Sequence, residues 1–302
     1  MKKFLSMLMV ALLLCCTACA ENVTMKASAP SGAPALALAT LAVENPENYT
    51  FVAADTISAE FVNATADFII APVNAGAKLY KLGKSDYKLA AVVSWGNLFF
   101  ASQKEGFTLE DMTTAEVTLF GENTINAAVA EYSLAQNGVT PASVAYLASA
   151  ANTQSLLLTD AEAIVLTAEP ALTAAKMKNP AITAYAMNDL YKAVTGYEGY
   201  PQAALFVKGE TLNSQPEAVA AFLKAVEASC EKATTDVEAV ADAAVALEIL
   251  PNKKVALSAI PGCSIRYVSA LEARTQIEAV ANIDLSQFGG ALPADDFYYD
   301  AK

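Results

Sequence analysis

The feature that most constrains this chain is a junction that recurs along it. A short apolar run breaks at turn residues and gives way at once to a helical pattern. Phe68-Ile69-Ile70-Ala71 meets Pro72, and Asn74-Ala75-Gly76-Ala77 then opens a helix. "EVTLF" runs into Gly121-Glu122-Asn123-Thr124 ahead of "INAAVAEYSLAQ", which Asn137-Gly138 closes as a C-terminal cap. "EAIVL" passes through Thr167-Ala168-Glu169-Pro170 into a further helix, with the proline suited to its first turn. Near the start, "VTMKASAP" alternates like a strand, and Ser31-Gly32 precede the helical "ALALATLAVEN". Strands alternating with helices predict an α/β chain built on a largely parallel sheet. In such sheets the ligand crevice lies beyond the carboxyl ends of the strands, and all four junctions have that polarity.

Composition narrows the function. The 302 residues are 55% hydrophobic and 17% charged, enough apolar surface for one or two cores and too much for a disordered chain. With 19 basic and 32 acidic residues the net charge is −13, and no Lys/Arg cluster offers a face for nucleic acid or anionic lipid. There is no histidine, which removes Ser-His and Cys-His nucleophiles. Cys230 and Cys263 lie outside any C-x-x-C pattern, so neither a metal site nor a cofactor is expected, and they read as two buried thiols, with a disulfide between them outside the cytoplasm as the alternative. "SGAP" lacks the lysine and the spacing of a phosphate-binding loop.

The amino terminus carries an address. Lys2 and Lys3 precede an apolar run from Phe4 to Leu14, followed by "CCTACAEN", the layout of a secretory signal. A run this short covers roughly half of a ~30 Å hydrocarbon core. The segment resembles a bacterial lipoprotein signal. Cys19, preceded by Thr17-Ala18, is the residue such a signal would lipidate, although Cys16 stands where leucine is usual. Residues 1–18 would then be removed, and 19–22 would form a lipidated tether at an extracytoplasmic membrane face.

Three segments carry a wider resemblance: "ADFIIAPVNAGAKLYKLGK", "EAIVLTAEPALTAAK" and "SAIPGCSIRYVSALEA" with the tail "DLSQFGGALPADDFYYD". Together they resemble the solute-binding proteins of bacterial ABC importers, in the branch of nitrate, sulfonates, taurine and thiamine-type pyrimidine precursors. The resemblance implies a type II periplasmic-binding-protein fold of two α/β lobes joined by two crossing strands. The crossings would fall near Phe99–Ser102 and Leu205–Val207. Residues 23–102 and 204–302 would then form one lobe, and 103–203 the other. It also implies a monomer that captures a small polar ligand, a pyrimidine-like heterocycle or a small sulfonate or other anion, and delivers it to a membrane permease. Some eukaryotic relatives of this fold synthesise the thiamine pyrimidine and are thought to consume their own active-site histidine; this chain has none to consume.

Carried onto this chain, the ligand wall would comprise Ser31, Gly32, Pro72, Asn74, Gly121, Glu122, Asn123, Thr124 and Glu169. Helix starts there offer unpaired N–H groups. Glu122 and Glu169 are equally explained as carboxylates on helix dipoles. Trp95, the single tryptophan, follows "LAAVVS" and precedes Gly96-Asn97, a position suited either to packing or to stacking on a flat ligand. Gln202, just before the second crossing, has donor and acceptor for a cleft edge.

Overall fold

The structure, a computed structural model, describes residues 24–300. Cys19 and the remainder of the signal lie outside the described residues. Eleven strands are found among those described: β1 (Ala27–Pro30), β2 (Tyr49–Val52), β3 (Phe68–Pro72), β4 (Lys88–Ser94), β5 (Leu98–Ser102), β6 (Glu116–Phe120), β7 (Ser143–Leu147), β8 (Ile164–Ala168), β9 (Thr183–Ala186), β10 (Ala203–Val207) and β11 (Ile265–Ser269). They form two sheets, one ordered β11-β4-β10-β3-β1-β2 and the other β7-β6-β8-β5-β9. Each sheet is the centre of one lobe.

The strand-to-helix junctions hold, but neither sheet is purely parallel. β10 runs antiparallel to both β3 and β4, and β11 antiparallel to β4. In the second sheet β5 is antiparallel to β8 and β9. The cause is the passage between sheets. β4 leaves the first sheet at Ser94, and β5 begins in the second at Leu98. A strand entering from the gap points away from it, whereas β6 and β8 point toward it. β10 returns through the same gap and is reversed for the same reason. Phe99–Ser102 lie wholly inside β5 and Leu205–Val207 inside β10, so the passages themselves are residues 95–97 and 196–202.

β10 is buried along its whole length, as is the Phe68–Ala71 run of β3, which suits strands covered on both faces. The helix Pro216–Thr235 covers one face of the first sheet with Val219, Phe222, Leu223 and Val226, the i, i+3, i+4, i+7 stripe of its sequence. Phe222 stacks on Phe68 with centroids 4.1 Å apart. On the opposite face Phe206 meets Phe61 edge-on at 5.0 Å. The helix Val73–Lys81 lies against that pair through Gly76, where an added Cβ would run into the Phe206 ring. Cys230 and Cys263 are both buried free thiols. The helical run after Ser31-Gly32 is split into a 3-10 turn, Ala33–Ala37, and a short α-helix, Ala39–Ala42.

Gly76→Ala should destabilise the protein by about 1–3 kcal/mol, the usual cost of overpacking a filled core. Urea denaturation followed by circular dichroism measures this, and an unchanged midpoint would mean the ring has room to move.

Candidate functional site: the cleft between the lobes

Topology alone brings the junctions together. β4 ends where β5 begins, so the end of the first sheet holding Ser94 faces the end of the second holding Leu98. β3 and β1 run in the sense of β4, and their carboxyl ends carry Pro72 and Pro30-Ser31 to the same gap. From the other side, β6 and β8 bring Gly121 and Glu169 to it.

The two passages are clasped to each other. Asn188, at the start of the helix Met187–Thr195, donates through Nδ2 to the carbonyls of Trp95 (2.9 Å) and Gly96 (3.1 Å). Gly199 of the return passage presses on the Trp95 carbonyl, where a Cβ would collide. Gly96, at φ 80°, lies where a Cβ would stand 2.7 Å from the Tyr200 ring. The Tyr200 hydroxyl donates to Asn126 Oδ1 at 2.9 Å, tying the return passage to the second lobe. Gln202 donates its backbone N–H to the Ser94 carbonyl (3.0 Å) and accepts at its own carbonyl from Val73 N–H (3.1 Å). Its side chain accepts from the Ser94 hydroxyl at 3.3 Å.

Trp95 belongs to this clasp, and of the two readings, packing or stacking on a ligand, its surroundings are those of a packed side chain. The side chain is 2% exposed, and its Nε1 donates to the Arg266 carbonyl at 2.9 Å. The Arg266 guanidinium lies 4.5 Å from the ring centroid, a cation–π contact on the indole. The indole N–H and this ring contact are therefore spent within the protein. Burial lowers the pKa of Arg266, opposed by nearby Glu198.

Glu169 is 7% exposed and turned onto its own helix. Its carboxylate accepts from Thr173 N–H (3.1 Å) and the Thr173 hydroxyl (2.8 Å), closing the first turn of Ala171–Lys178. This is the capping role rather than an open ligand contact. Its backbone exchanges two hydrogen bonds with Asn97: Glu169 N–H to the Asn97 carbonyl (3.0 Å) and Asn97 Nδ2 to the Glu169 carbonyl (2.9 Å). Desolvation pushes the carboxyl pKa up, against the Thr173 bonds and Lys176. Gly262 of the first lobe abuts it, so that a Cβ there would lie 3.0 Å from Glu169 Cγ.

The remaining positions differ in kind. Thr124 caps the helix Ile125–Gln136, accepting from Ala127 N–H at 3.4 Å and donating to the Gly121 carbonyl at 2.6 Å. Glu122 and Asn123 are exposed, and Asn123 is left-handed at φ 58°. Ser31 is exposed and makes no side-chain cap for the turn that follows. Pro72 starts its helix without a side-chain cap, and Asn74 lies one residue inside it. Asn74 Nδ2 donates to Gln287 Oε1 at 3.4 Å, while its Oδ1 is buried without a partner. Asn97 Oδ1, Thr167 Oγ1 and Asn188 Oδ1, on segments at the same gap, are likewise buried and unpartnered.

Five residues here were not foreseen: Asn97, Asn188, Gly199, Gly262 and Gln287. Gly262 and Gln287 sit in the quoted "IPGC" and "DLSQFGG" segments, yet nothing in those strings specifies contact with the opposite lobe. The Gly96-Asn97 and Gly199-Tyr200-Pro201 turns are visible, but not their mutual contact.

Comparison with known proteins bears on the architecture. The NMT1/THI5-like family model matches residues 96–239, from the first passage through the second lobe and back. A protein from Parabacteroides distasonis described as an ABC transporter superposes with a TM-score of 0.78 at 22% identity, covering 93% of this chain and 100% of its own. The fold is that of the two-lobed periplasmic binding proteins. The periplasmic aliphatic sulphonate binding protein of Escherichia coli matches with a TM-score of 0.70 at 12% identity, over 91% of this chain and 92% of its own. The periplasmic nitrate-binding protein of Synechocystis reaches 0.62 at 12% identity, over 91% and 84%. No curated protein matches the chain in sequence. In that fold the gap is the space between the lobes; residues 95–97 and 196–202 are the two links across it, and Asn74, Asn97 and Asn188 stand on segments that reach it.

Two outcomes test this geometry. Arg266→Ala should shift the emission of the single tryptophan to longer wavelength and cost about 0.5–2 kcal/mol, as a cation–π partner is replaced by water; unchanged emission would place the guanidinium elsewhere in solution. For Glu169, a folded-state pKa above the unfolded one means the native state holds more protons between those two values. Stability contributed at that site therefore falls as pH rises through the window. The parent's stability relative to Glu169→Gln should decline from acid to neutral pH in denaturation experiments; a pH-independent difference would mean the carboxyl is not desolvated.

Proposed function

We propose that this protein is the extracytoplasmic solute-binding component of an ABC importer. It captures a small polar molecule between its lobes and presents it to a permease. The observation that carries this reading is the convergence of strand ends from two sheets on one gap, spanned by a two-passage hinge. Such a frame lets ligand contacts on both walls shift an open–closed equilibrium. The shared fold with transport binding proteins supports it. The absence of histidine from the sequence argues against the pyrimidine-forming chemistry of the enzymatic relatives. Cys19 is the proposed lipid anchor, with the residues after it as tether.

The ligand we infer is neutral or amine-bearing and rich in N–H donors, a heterocycle being the simplest case. The support is chemical: Asn74, Asn97 and Asn188 commit their Nδ2 groups to protein acceptors and keep buried oxygens free. A buried acceptor without a donor costs about 1–3 kcal/mol, a deficit that a donor-bearing ligand would remove. None of these residues is Lys or Arg, and Arg266 is engaged on Trp95. The second reading is a small anion. It rests on the helix starts at Val73 and Ile125, whose N–H groups suit sulfonate or nitrate.

A thermal-shift screen of the mature protein against amino-substituted heterocycles, vitamins, sulfonates and nitrate decides between them. Aminated heterocycles should raise the melting temperature. Asn74→Ala should then weaken the best of them by about tenfold, equivalent to ~1.4 kcal/mol, in calorimetry. Stabilisation by sulfonates alone would overturn the donor-rich reading, and no response from any compound would overturn solute capture from these classes.

A further inference from the structure

The cleft mouth is crossed by one side chain from an unexpected place. Gln287 sits in the 3-10 turn Leu285–Phe288, near the end of the chain. Its Nε2 donates to the Asn123 carbonyl at 2.8 Å, across a sequence separation of 164 residues and from one lobe to the other. Its Oε1 meanwhile accepts from Asn74 Nδ2 at 3.4 Å, within its own lobe. The side-chain amide thus has both ends in use, and the pairing fixes which end faces which lobe.

Both partners are built to receive it. The turn is held to the first lobe by Phe288, 1% exposed, and by Gly289 lying over Lys78 and Lys81 of the helix Val73–Lys81. Asp284 accepts from Ser286 N–H at 3.0 Å and keeps the turn wound. Opposite, the left-handed backbone of Asn123 is followed by Thr124, whose own carbonyl accepts the first bond of the next helix, from Ala128 N–H at 3.1 Å. The Asn123 carbonyl is outside that helical ladder and free to accept from elsewhere.

We propose that Gln287 is a latch. It holds the lobes closed at the cleft mouth and, through Asn74, joins the mouth to a wall of the ligand cavity. Opening stretches the Gln287–Asn123 bond and leaves the Asn74 bond intact, because only the former crosses between lobes. This rests on the two-lobed cleft of the proposed function but needs no particular ligand. The latch biases closure even when the cleft is empty.

The experiment reads lobe separation in ligand-free protein. Val62→Cys and Val144→Cys, exposed on the first and second lobes, carry a donor and an acceptor dye, while Cys230 and Cys263 are buried. Single-molecule energy transfer then gives the open fraction. Gln287→Ala should raise the ratio of open to closed molecules by about 2- to 10-fold, the ratio expected for one net hydrogen bond. Gln287→Glu is the sharper variant: its carboxylate still accepts from Asn74 but cannot donate to the Asn123 carbonyl. It should open the lobes at least as far as Gln287→Ala. Opening by Gln287→Ala alone would assign the effect to the Asn74 contact and overturn the latch, as would an unchanged distribution in both variants. Failure of the ligand screen would leave this result standing, and failure of the latch would leave ligand binding untouched.

Discussion

The structure depends on one clasp. Two stretches of chain pass between the sheets, and Asn188 donates to consecutive carbonyls of the first while Gly199 of the second presses against it. A bare passage would leave the Trp95 and Gly96 carbonyls unpaired in a crowded gap, at a cost of about 1–3 kcal/mol each. One amide meets both, and the close approach is open only to glycine. Every cleft position is measured from this point. The strands that end at the gap owe their direction to it, and the reversed β5 and β10 are its direct consequence.

Around the clasp, polar side chains serve the frame before they serve a ligand. Glu169 closes a helix turn with both carboxylate oxygens and is pinned through its backbone by Asn97. Trp95 gives its N–H to a carbonyl and a ring face to Arg266. What remains uncommitted near the gap is the set of oxygens left over when those donors are engaged. The side chains that would look most active in isolation are structural, and the amide oxygens of Asn74, Asn97 and Asn188 beside them are buried without a partner. Gly262 against Glu169 and Gln287 against Asn123 are two of the places where the lobes meet away from the linking passages. The first is a steric contact and the second a directional bond.

Much of this was legible along the chain. The apolar run of Phe68–Ala71 and the turn at Pro72 mark a strand ending at a helix whatever surrounds them, because periodicity and backbone chemistry are local. The stripe Val219, Phe222, Leu223, Val226 likewise specified which face of its helix is buried.

Which polar atoms are already spent is settled by contacts between distant parts of the chain. Glu169 reads equally as cap or ligand contact until Thr173 is seen on both its oxygens, and Trp95 reads equally as packing or as a stacking wall until Arg266 is found over it. The pairing of Gln287 with Asn123 spans 164 residues, and no local pattern encodes a contact at that range. Hydrogen bonds saturate: an atom that has met one partner is lost to another, and the allocation is settled only when distant segments arrive together. Local patterns along the chain specify the strands, the helices and the strand-to-helix turns, because those depend on near neighbours; the reversal of β5 and β10 and the meeting of the strand ends at one gap come only with the passage of the chain between two sheets.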